Sequence, residues 1–441
     1  MLTTYRRALT LPGAWQFSAT GFLARLPIAM DSLGIVLLIS ARTGSYAQAG
    51  VLSAAFTMAA AGGALVTSRW MDRLGQGRLL PPLVIANTAL LLAFVAAVHL
   101  DAAFALQLVL VAIAGATQPA IGSMVRARWA YAAPDADRLR SAFALESVVD
   151  ELIFTMGPLL TAFLAFQVGL ATPLIVAAVF GLTGGLLLAL QRSTQPAPSG
   201  RRSAESDAGT TRRDRNALAQ PGMIYVVIAA IGVGGVFGSY EVAVVAFAQD
   251  AGQSGASGLV LGLWAFGSML AGIVFGSRHW RRPLAQQLVI LTGIMALVLV
   301  PAPFVHSIPL LTVTTFIAGM AVAPSLIAAF SLTERLVPAA LLTEGLTWAN
   351  SGLAIGFAAG TTLSGAIVDA HGTSWAFVLP IVSAVTSFAV AALGQPVLRK
   401  ASVGRPQPLP AVTWVGDPMP GPTAGGIVDD PQGATSDRET S

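Results

Sequence analysis

Long apolar runs separated by short polar segments fill most of the chain. A helix needs about 20 apolar residues to cross the hydrocarbon core of a bilayer. Twelve runs of that length lie at 15–40, 47–69, 79–99, 103–124, 141–167, 171–191, 222–248, 257–277, 284–304, 308–329, 344–369 and 373–394. The pattern therefore predicts an all-α membrane protein with twelve spanning helices, numbered here as spans 1–12.

The polar segments predict how the spans are grouped. A short tail, 1–14, precedes span 1, and a Pro/Gly/Ser-rich stretch at 192–221 separates spans 1–6 from spans 7–12. The proline-rich segment 395–441 cannot bury a core, so we expect a disordered tail. SRWMDRLGQGRLL follows span 2, and GSRHWRRPL follows span 8 about 205 residues later. This repeat predicts two pseudo-symmetric six-helix bundles, 15–191 and 222–394, an organisation that secondary transporters use.

Composition and charge exclude several classes of function. Only 10% of the 441 residues are charged, against about 25% in soluble domains. The chain has no cysteine and four scattered histidines, so we expect neither a metal site nor another cofactor. No Walker-type phosphate loop is present, which argues against ATP as the energy source. We therefore expect no enzyme activity.

The basic residues predict the orientation in the membrane. If the N-terminus is cytosolic, 23 of the 25 lysines and arginines fall in cytosolic segments, as the positive-inside rule requires. The net positive charge is thus a topology signal and does not indicate a nucleic-acid partner. Together with an arginine-rich composition typical of GC-rich bacterial genomes, it predicts a protein of a bacterial inner membrane with both termini cytosolic. We expect the protein to be a monomer.

The loop after span 2 carries a recognisable motif. Asp72, Arg73, Gly75 and Arg78 match the cytoplasmic signature that follows span 2 in the major facilitator superfamily, although Ser68 replaces the usual first glycine. The chain resembles this superfamily over all twelve spans. The resemblance implies a transporter that works by alternating access, in which this loop latches the two halves together in one conformation.

A second motif of the superfamily is only partly present. Gly157-Pro158 stands in span 5 where proton-coupled exporters carry a glycine-rich Gly-Pro motif, but Ile153 and Thr161 occupy the flanking glycine positions. Two interpretations remain open: a remnant of the exporter motif, or a simple proline kink.

Ionisable side chains within spans are costly unless they are paired or hydrated, so each is a candidate functional residue. Arg25 in span 1 and Glu151 in span 5 both lie about 15 Å from the cytosolic ends of their helices. The resemblance implies that these two spans are neighbours. We therefore predict that Asp150 or Glu151 neutralises Arg25, within about 6 Å.

Two other acids are expected to have plainer roles. Glu146 lies about 7 Å from the predicted cytosolic end of span 5, where it would meet water or the arginines of the 126–140 loop. Glu344 lies at the start of span 11, where a helix N-terminus favours a carboxylate. We interpret both as non-functional.

Asp31 and Glu241 lie deeper, about 24 Å and 27 Å from the cytosolic ends of spans 1 and 7. The resemblance implies that these spans face each other across a cavity. The two carboxyls either share a proton or both lie in a water-filled outer vestibule, and the sequence does not decide between them.

Polar residues and helix breaks suggest where a substrate binds. Gln118, Tyr240 and Thr315 are further candidates for the cavity wall. Gln118-Pro119 and Pro324 interrupt spans 4 and 10 at corresponding places, and broken helices tend to mark binding regions. Span 7 contains Gly232, Gly234, Gly235 and Gly238, which permit close packing or bending.

These features predict a secondary transporter driven by the proton gradient that exports small drug-like or metabolic molecules. The proton and substrate pathway would comprise Arg25, Asp31, Gln118, Asp150, Glu151, Tyr240 and Glu241. Two alternatives stay open: a proton-coupled importer, and a non-transporting receptor or assembly protein that reuses the fold.

Overall fold

The computed structural model describes residues 9–196, 216–278, 280, 282–338 and 341–403. Within these ranges the chain is helical, with no β-strand. Twelve helical stretches are long and apolar enough to cross a membrane, which confirms the predicted fold class. Most of the predicted linker and of the predicted tail lies outside the described residues.

The helix bounds follow the predicted spans closely. Spans 1–3 are Ala14–Thr43, Tyr46–Leu74 and Gln76–His99; span 4 comprises Phe104–Thr117 and Ile121–Ala132; spans 5 and 6 are Ala136–Gln167 and Thr172–Leu190. Spans 7–9 are Met223–Asp250, Ala256–Ser277 and Leu284–Leu299; span 10 comprises Ile308–Gly319 and Val322–Leu336; span 11 is Leu342–His371; span 12 is Val378–Val403, after the short helix Thr373–Ala376. Single 3-10 turns occur at Arg192–Thr194, Ala217–Ala219 and Ala302–Phe304.

Several helix ends differ from prediction, among them the end of span 4 at Ala132 rather than 124 and that of span 10 at Leu336 rather than 329. Two other differences have an identifiable cause. Span 5 begins at Ala136 rather than at residue 141, because the Asp135 side chain accepts a hydrogen bond from the Arg138 backbone N–H at 2.7 Å and caps the first turn. Span 12 continues past Gly394, where we expected the disordered tail to begin. Leu398 is fully buried against Val226, so the extra turns are held by packing.

Spans 4 and 10 are broken at the predicted places. Span 4 stops at Thr117 and restarts at Ile121, across Gln118-Pro119. Span 10 stops at Gly319 and restarts at Val322, with Pro324 in the first turn of its second piece. Proline lacks a backbone N–H and tolerates a first turn far better than a helix interior, which accounts for both breaks.

Spans 1–6 and spans 7–12 each pack as a group, and the two groups also pack extensively on each other. Spans 1 and 3 pack on span 6, and span 2 packs on span 4. In the second group, span 7 packs on spans 11 and 12, and span 9 packs on span 12. Between the groups, span 2 contacts span 11 and span 5 contacts span 8.

Glycines bring spans 7 and 11 into backbone contact. A Cβ added at Gly234 would lie 2.1 Å from the Leu353 carbonyl oxygen, and one at Gly238 would lie 2.1 Å from that of Phe357. Real Cβ atoms do not approach an oxygen so closely, so only glycine fits. The predicted packing role of the span 7 glycines is confirmed.

We expect Gly234→Ala and Gly238→Ala each to lower the thermal unfolding midpoint of the detergent-solubilised protein by several degrees. The added methyl forces the two helices apart, and such overpacking costs about 1–3 kcal/mol. Gly62→Ala in span 2 is the matched control, because a Cβ there meets nothing within 4 Å. Equal midpoints for all three variants would contradict the close-packing account.

Candidate functional site

A cavity of about 520 Å³ lies between the two groups of spans. Residues of spans 1, 2 and 5 form one wall, and residues of spans 7, 8, 10 and 11 form the other. Most of the lining is apolar and includes the aromatic side chains Phe154, Phe237, Trp264 and Phe357. Volume and lining are those of a small-molecule site.

The ionisable groups of the cavity lining are the carboxyl groups of Asp150, Glu151 and Glu241. Asp150 and Glu151 come from span 5, and Glu241 comes from span 7. All three are among the predicted pathway residues.

A buried ion-pair network lies behind the span 5 wall. Arg25 Nη1 donates to Asp150 Oδ1 at 2.7 Å, and Arg25 Nη2 donates to Glu146 Oε2 at 2.5 Å. Arg126 Nη2 approaches the second oxygen of Asp150, also at 2.5 Å. The predicted pairing of Arg25 with Asp150 is thus confirmed. Glu151 has no ion pair with Arg25 and faces the cavity instead.

Our interpretation of Glu146 as a hydrated residue at the helix end was wrong. Its side chain is 0% exposed and, besides pairing with Arg25, accepts hydrogen bonds from Ser18 Oγ at 3.0 Å and from Trp129 Nε1 at 2.8 Å. Because span 5 begins at Ala136, Glu146 lies a full ten residues into the helix, about 15 Å from its start. It is the fully buried counter-charge of Arg25.

Asp31 is buried beside the break in span 4. Its side chain is 1% exposed, and Oδ2 accepts a hydrogen bond from Gln118 Nε2 at 2.9 Å. Asp31 Oδ1 has no hydrogen-bond partner within the described part of the chain. The contact joins two predicted pathway residues and places a carboxyl group at the non-helical segment of span 4.

Glu241 faces the cavity from span 7 and reaches across to span 1. Ser32 Oγ lies 2.6 Å from Glu241 Oε1 and 2.8 Å from Ser53 Oγ in span 2. Asp31 and Glu241 therefore bond different partners, and Asp31 is shielded from solvent. Neither a shared proton nor a common hydrated vestibule describes this conformation.

Tyr240 and Thr315 lie behind the cavity wall instead of forming it. The two hydroxyl groups are 2.7 Å apart and both side chains are buried. Tyr240 packs edge-on against Trp264 with ring centroids 4.3 Å apart. Tyr240 therefore supports Trp264, which lines the cavity, but Tyr240 does not line the cavity itself.

Arg128 is a buried cation that the sequence analysis missed. Its guanidinium donates to the Leu188 and Gln191 carbonyl oxygens and to Thr194 Oγ1, at 2.9–3.0 Å. It thereby satisfies the last carbonyl groups of span 6, where the helix dipole favours a cation. The available signal was its spacing of four and three residues from the buried Met124 and Val125, which puts all three on one helix face.

The loop after span 2 turns as its motif predicts. Gly75 has φ +88°, which glycine adopts without strain. Arg73 and Arg78 are exposed, and the Gly77 N–H donates to Gln195 Oε1 at 3.0 Å. The side chain of Asp72 lies outside the described residues, so the latch role of the loop stays a prediction.

Glu344 lies at a helix start and accepts a backbone hydrogen bond, as expected. The N–H group that it caps belongs to a neighbouring 3-10 turn and not to its own helix. Glu344 Oε1 accepts a hydrogen bond from the Ala217 backbone N–H at 3.2 Å. The carboxylate thus ties the end of the linker to span 11, away from the cavity.

The two groups of spans are joined at the end of the bundle opposite the linker, called here the outer end. Asp369 of span 11 accepts hydrogen bonds from the Tyr46 and Ala47 N–H groups and from Ser45 Oγ, at 2.8–2.9 Å. A carboxylate thereby caps the N-terminus of span 2 across the interface. Close by, Tyr46 Oη donates to Gln249 Oε1 of span 7 at 2.6 Å.

Spans 5 and 8 also meet at the outer end. A Cβ added at Gly258 would lie 2.3 Å from the Ala162 Cβ, and one at Gly262 would lie 2.7 Å from the Leu159 Cγ. The contact follows the Gly157-Pro158 step of span 5, so the outer half of this helix serves as an interface between the groups.

The family model of the Major Facilitator Superfamily matches residues 16–301 and, in a second match, residues 278–416. Comparison with curated protein sequences finds no match.

Three solved structures share the fold at low sequence identity. The nucleoside transporter NupG is 14% identical, with a TM-score of 0.65 over 88% of this chain and 99% of that chain. A bacterial homologue of the human lysosomal transporter Spinster, inward-facing and occupied, is 15% identical, with a TM-score of 0.67 over 88% of this chain and 97% of that chain. The peptide transporter POT in complex with sulfate is 13% identical, with a TM-score of 0.66 over 89% of this chain and 96% of that chain.

Removing the buried counter-charge of Arg25 should destabilise the protein strongly. We expect Glu146→Gln to cost about 3–5 kcal/mol of unfolding free energy, because Arg25 and Arg126 then share Asp150 alone and the buried network carries an unbalanced positive charge. Glu151→Gln, a matched change at the cavity, should cost less than about 1 kcal/mol. Thermal and denaturant unfolding of purified protein measures both, and a Glu146→Gln variant as stable as Glu151→Gln would refute the pairing.

Weakening the Asp369 contact should open the outer end. Because the chain has no cysteine, a single Thr57→Cys reports access to the cavity through labelling by a membrane-impermeant maleimide. We expect Asp369→Asn to raise labelling from the outer side several-fold, since lost hydrogen bonds are worth about 1 kcal/mol each.

The control for this experiment is Asp101→Asn. Asp101 is also a carboxylate at the outer end, but its partner Arg42 belongs to the same group of spans. It should leave labelling unchanged. Equal labelling of the two variants would show that the Asp369 contact does not hold the outer end closed.

Proposed function

The chain belongs to the Major Facilitator Superfamily, and we propose that it is a secondary active transporter which exports small molecules in exchange for protons. Membership of this family makes it a membrane transporter and not an enzyme. The proposed coupling, direction and substrate class rest on the cavity, the distribution of basic residues and two buried carboxyl groups.

One observation carries the proposal: a cavity with carboxyl groups on both walls lies between two groups of spans that are joined at the outer end. Asp369 and the span 5–span 8 contact hold that end. Rocking of one group against the other about such a cavity is how alternating access works in transporters built from repeats. The bodies that would rock are the six-helix bundles 15–191 and 222–394.

The distribution of basic residues supports an orientation. With both termini and the linker in the cytosol, the positive-inside rule is satisfied, and the closed outer end faces away from the cytosol. The described conformation is then closed on the side away from the cytosol. The chain would act as a monomer in a bacterial inner membrane, without a nucleic-acid partner.

Two carboxyl groups supply the proton sites. Asp31 and Glu241 are hydrogen-bonded to neutral side chains, Gln118 and Ser32, and neither forms an ion pair within the described residues. An unpaired carboxylate is costly inside a membrane protein, so each can alternate between a protonated and a charged or substrate-bound state. No cofactor beyond the proton gradient is required.

The apolar lining favours hydrophobic or amphipathic cargo. Export is the preferred direction because such molecules enter cells through the lipid without a carrier. Import by the same cavity is the alternative, and the flux experiment distinguishes the two.

The experiment has two stages. Thermal stabilisation of the purified protein by a broad compound panel identifies ligands, and flux of a ligand into or out of proteoliposomes is then measured with and without a pH gradient. We expect flux against the ligand gradient only when protons move in the opposite direction. Ligand binding without any flux would favour the receptor interpretation and refute the proposal.

Loss of either carboxyl group should uncouple transport. In Glu241→Gln and Asp31→Asn proteoliposomes, we expect accumulation driven by the pH gradient to fall at least about tenfold, because an amide cannot take up or release the coupled proton. Glu334→Gln, at an exposed position of span 10 outside the cavity lining, should behave as wild type. Undiminished pH dependence in both variants would reject these residues as proton carriers.

A further inference from the structure

All ionisable side chains that line the cavity are acidic. Asp150, Glu151 and Glu241 are its ionisable lining residues, and the lining includes no arginine, lysine or histidine within the described chain. Asp150 is compensated by Arg25 and Arg126. Glu151 and Glu241 form no ion pair among the described residues. The cavity therefore presents two uncompensated carboxyl groups.

Each of these carboxyl groups lies beside an aromatic ring on its own helix. Glu151 precedes Phe154 by three residues in span 5, and Glu241 follows Phe237 by four residues in span 7. Such spacings place both members of a pair on one helix face, and all four residues line the cavity. The two opposing walls thus carry the same carboxyl–aromatic combination.

The span 7 wall extends this aromatic surface. The rings of Phe237 and Trp264 are nearly parallel, with an interplanar angle of 2° and centroids 5.7 Å apart. Tyr240 packs edge-on against Trp264 and is itself held by Thr315. Ring faces attract cations, tryptophan most strongly. An aromatic surface held in place beside Glu241 favours a ligand that is both cationic and apolar.

We propose that the cavity binds organic monocations with a bulky apolar or aromatic body. The cationic centre pairs with Glu241 and Glu151, and the apolar body packs on Phe237, Trp264 and Phe154. This inference deepens the proposed transport function and rests on it for its physiological meaning. Anionic molecules are disfavoured because the lining offers them no cation and the carboxylates repel them.

Cation binding also connects the cavity to proton movement. A carboxyl group in an apolar site is stabilised either by a proton or by a cationic ligand. Binding of the cation to Glu241 therefore favours release of its proton, and protonation favours release of the cation. The exchange leaves the net charge of the site unchanged.

A pair of probes of equal shape and opposite charge tests the proposal. Tetraphenylphosphonium and tetraphenylborate each place four phenyl rings around a central charge. Their binding to the purified full-length protein in lipid nanodiscs is measured in separate titrations, with empty nanodiscs as the correction for partition into lipid. We expect saturable binding of tetraphenylphosphonium and at least about tenfold weaker binding of tetraphenylborate. Benzyltrimethylammonium should bind as a second, smaller cation.

Variants assign the site. Glu241→Gln should raise the Kd of tetraphenylphosphonium about tenfold or more, because a desolvated charge pair is lost, and Glu151→Gln should raise it by a smaller factor. Glu334→Gln, outside the cavity lining, should leave the Kd unchanged. If Glu241→Gln does not fold, the comparison of the two wild-type probe affinities decides.

Three results would overturn the proposal: equal or tighter binding of tetraphenylborate, absence of saturable binding of both cations, or an unchanged Kd in both cavity variants. These equilibrium titrations use no gradient, so their outcome is separable from the flux experiment. Selective cation binding without flux would refute transport alone. Flux of anionic or neutral solutes without cation preference would refute this inference alone.

Discussion

The constraint that organises this protein is the cost of placing charged groups among apolar helices. Arg25 lies deep in span 1, and its guanidinium requires both Glu146 and Asp150 of span 5. That requirement fixes the rotation and height of span 5 relative to span 1. It also leaves the next residue, Glu151, directed at the cavity. A neutralised structural network and an unpaired functional carboxyl group thus arise from three acids in six consecutive residues.

Close packing through glycines recurs throughout the bundle. Span 7 packs backbone to backbone on span 11 through glycines, so each group of spans is rigid where its own helices meet. Between the groups, spans 2 and 11 also pack closely through Gly50 and Gly365, and the outer end adds Asp369 hydrogen bonds and small side chains of spans 5 and 8. Two rigid groups that meet at such an interface can rotate as bodies, and a cavity between them then changes the side to which it opens.

The sequence predicted most of the fold and part of the site. Run length and proline positions were sufficient for the twelve spans and for the breaks in spans 4 and 10, because both depend on local backbone chemistry. Depth within two spans that the family resemblance made neighbours predicted Asp150 or Glu151 as the partner of Arg25, and Asp150 is the one that pairs with it. Glu146 was misjudged because its depth was counted from residue 141, whereas the Asp135 cap starts the helix five residues earlier. The hydrogen-bond partners of Asp31, Glu241 and Tyr240 depend on how each helix is rotated about its axis. Depth along a span does not predict that rotation.

Distances between spans 2 and 11 in lipid test the central claim of alternating access most directly. Spin labels on a pair of cysteines introduced at Gln48 and Ala370 report the outer end, and a pair at Arg69 and Trp348 reports the opposite end of the same helices. Both pairs are measured by pulsed electron paramagnetic resonance at high and low pH, with and without tetraphenylphosphonium. We expect two populations in which one distance lengthens as the other shortens. Distances that stay fixed under all conditions, or that change together, would contradict that claim.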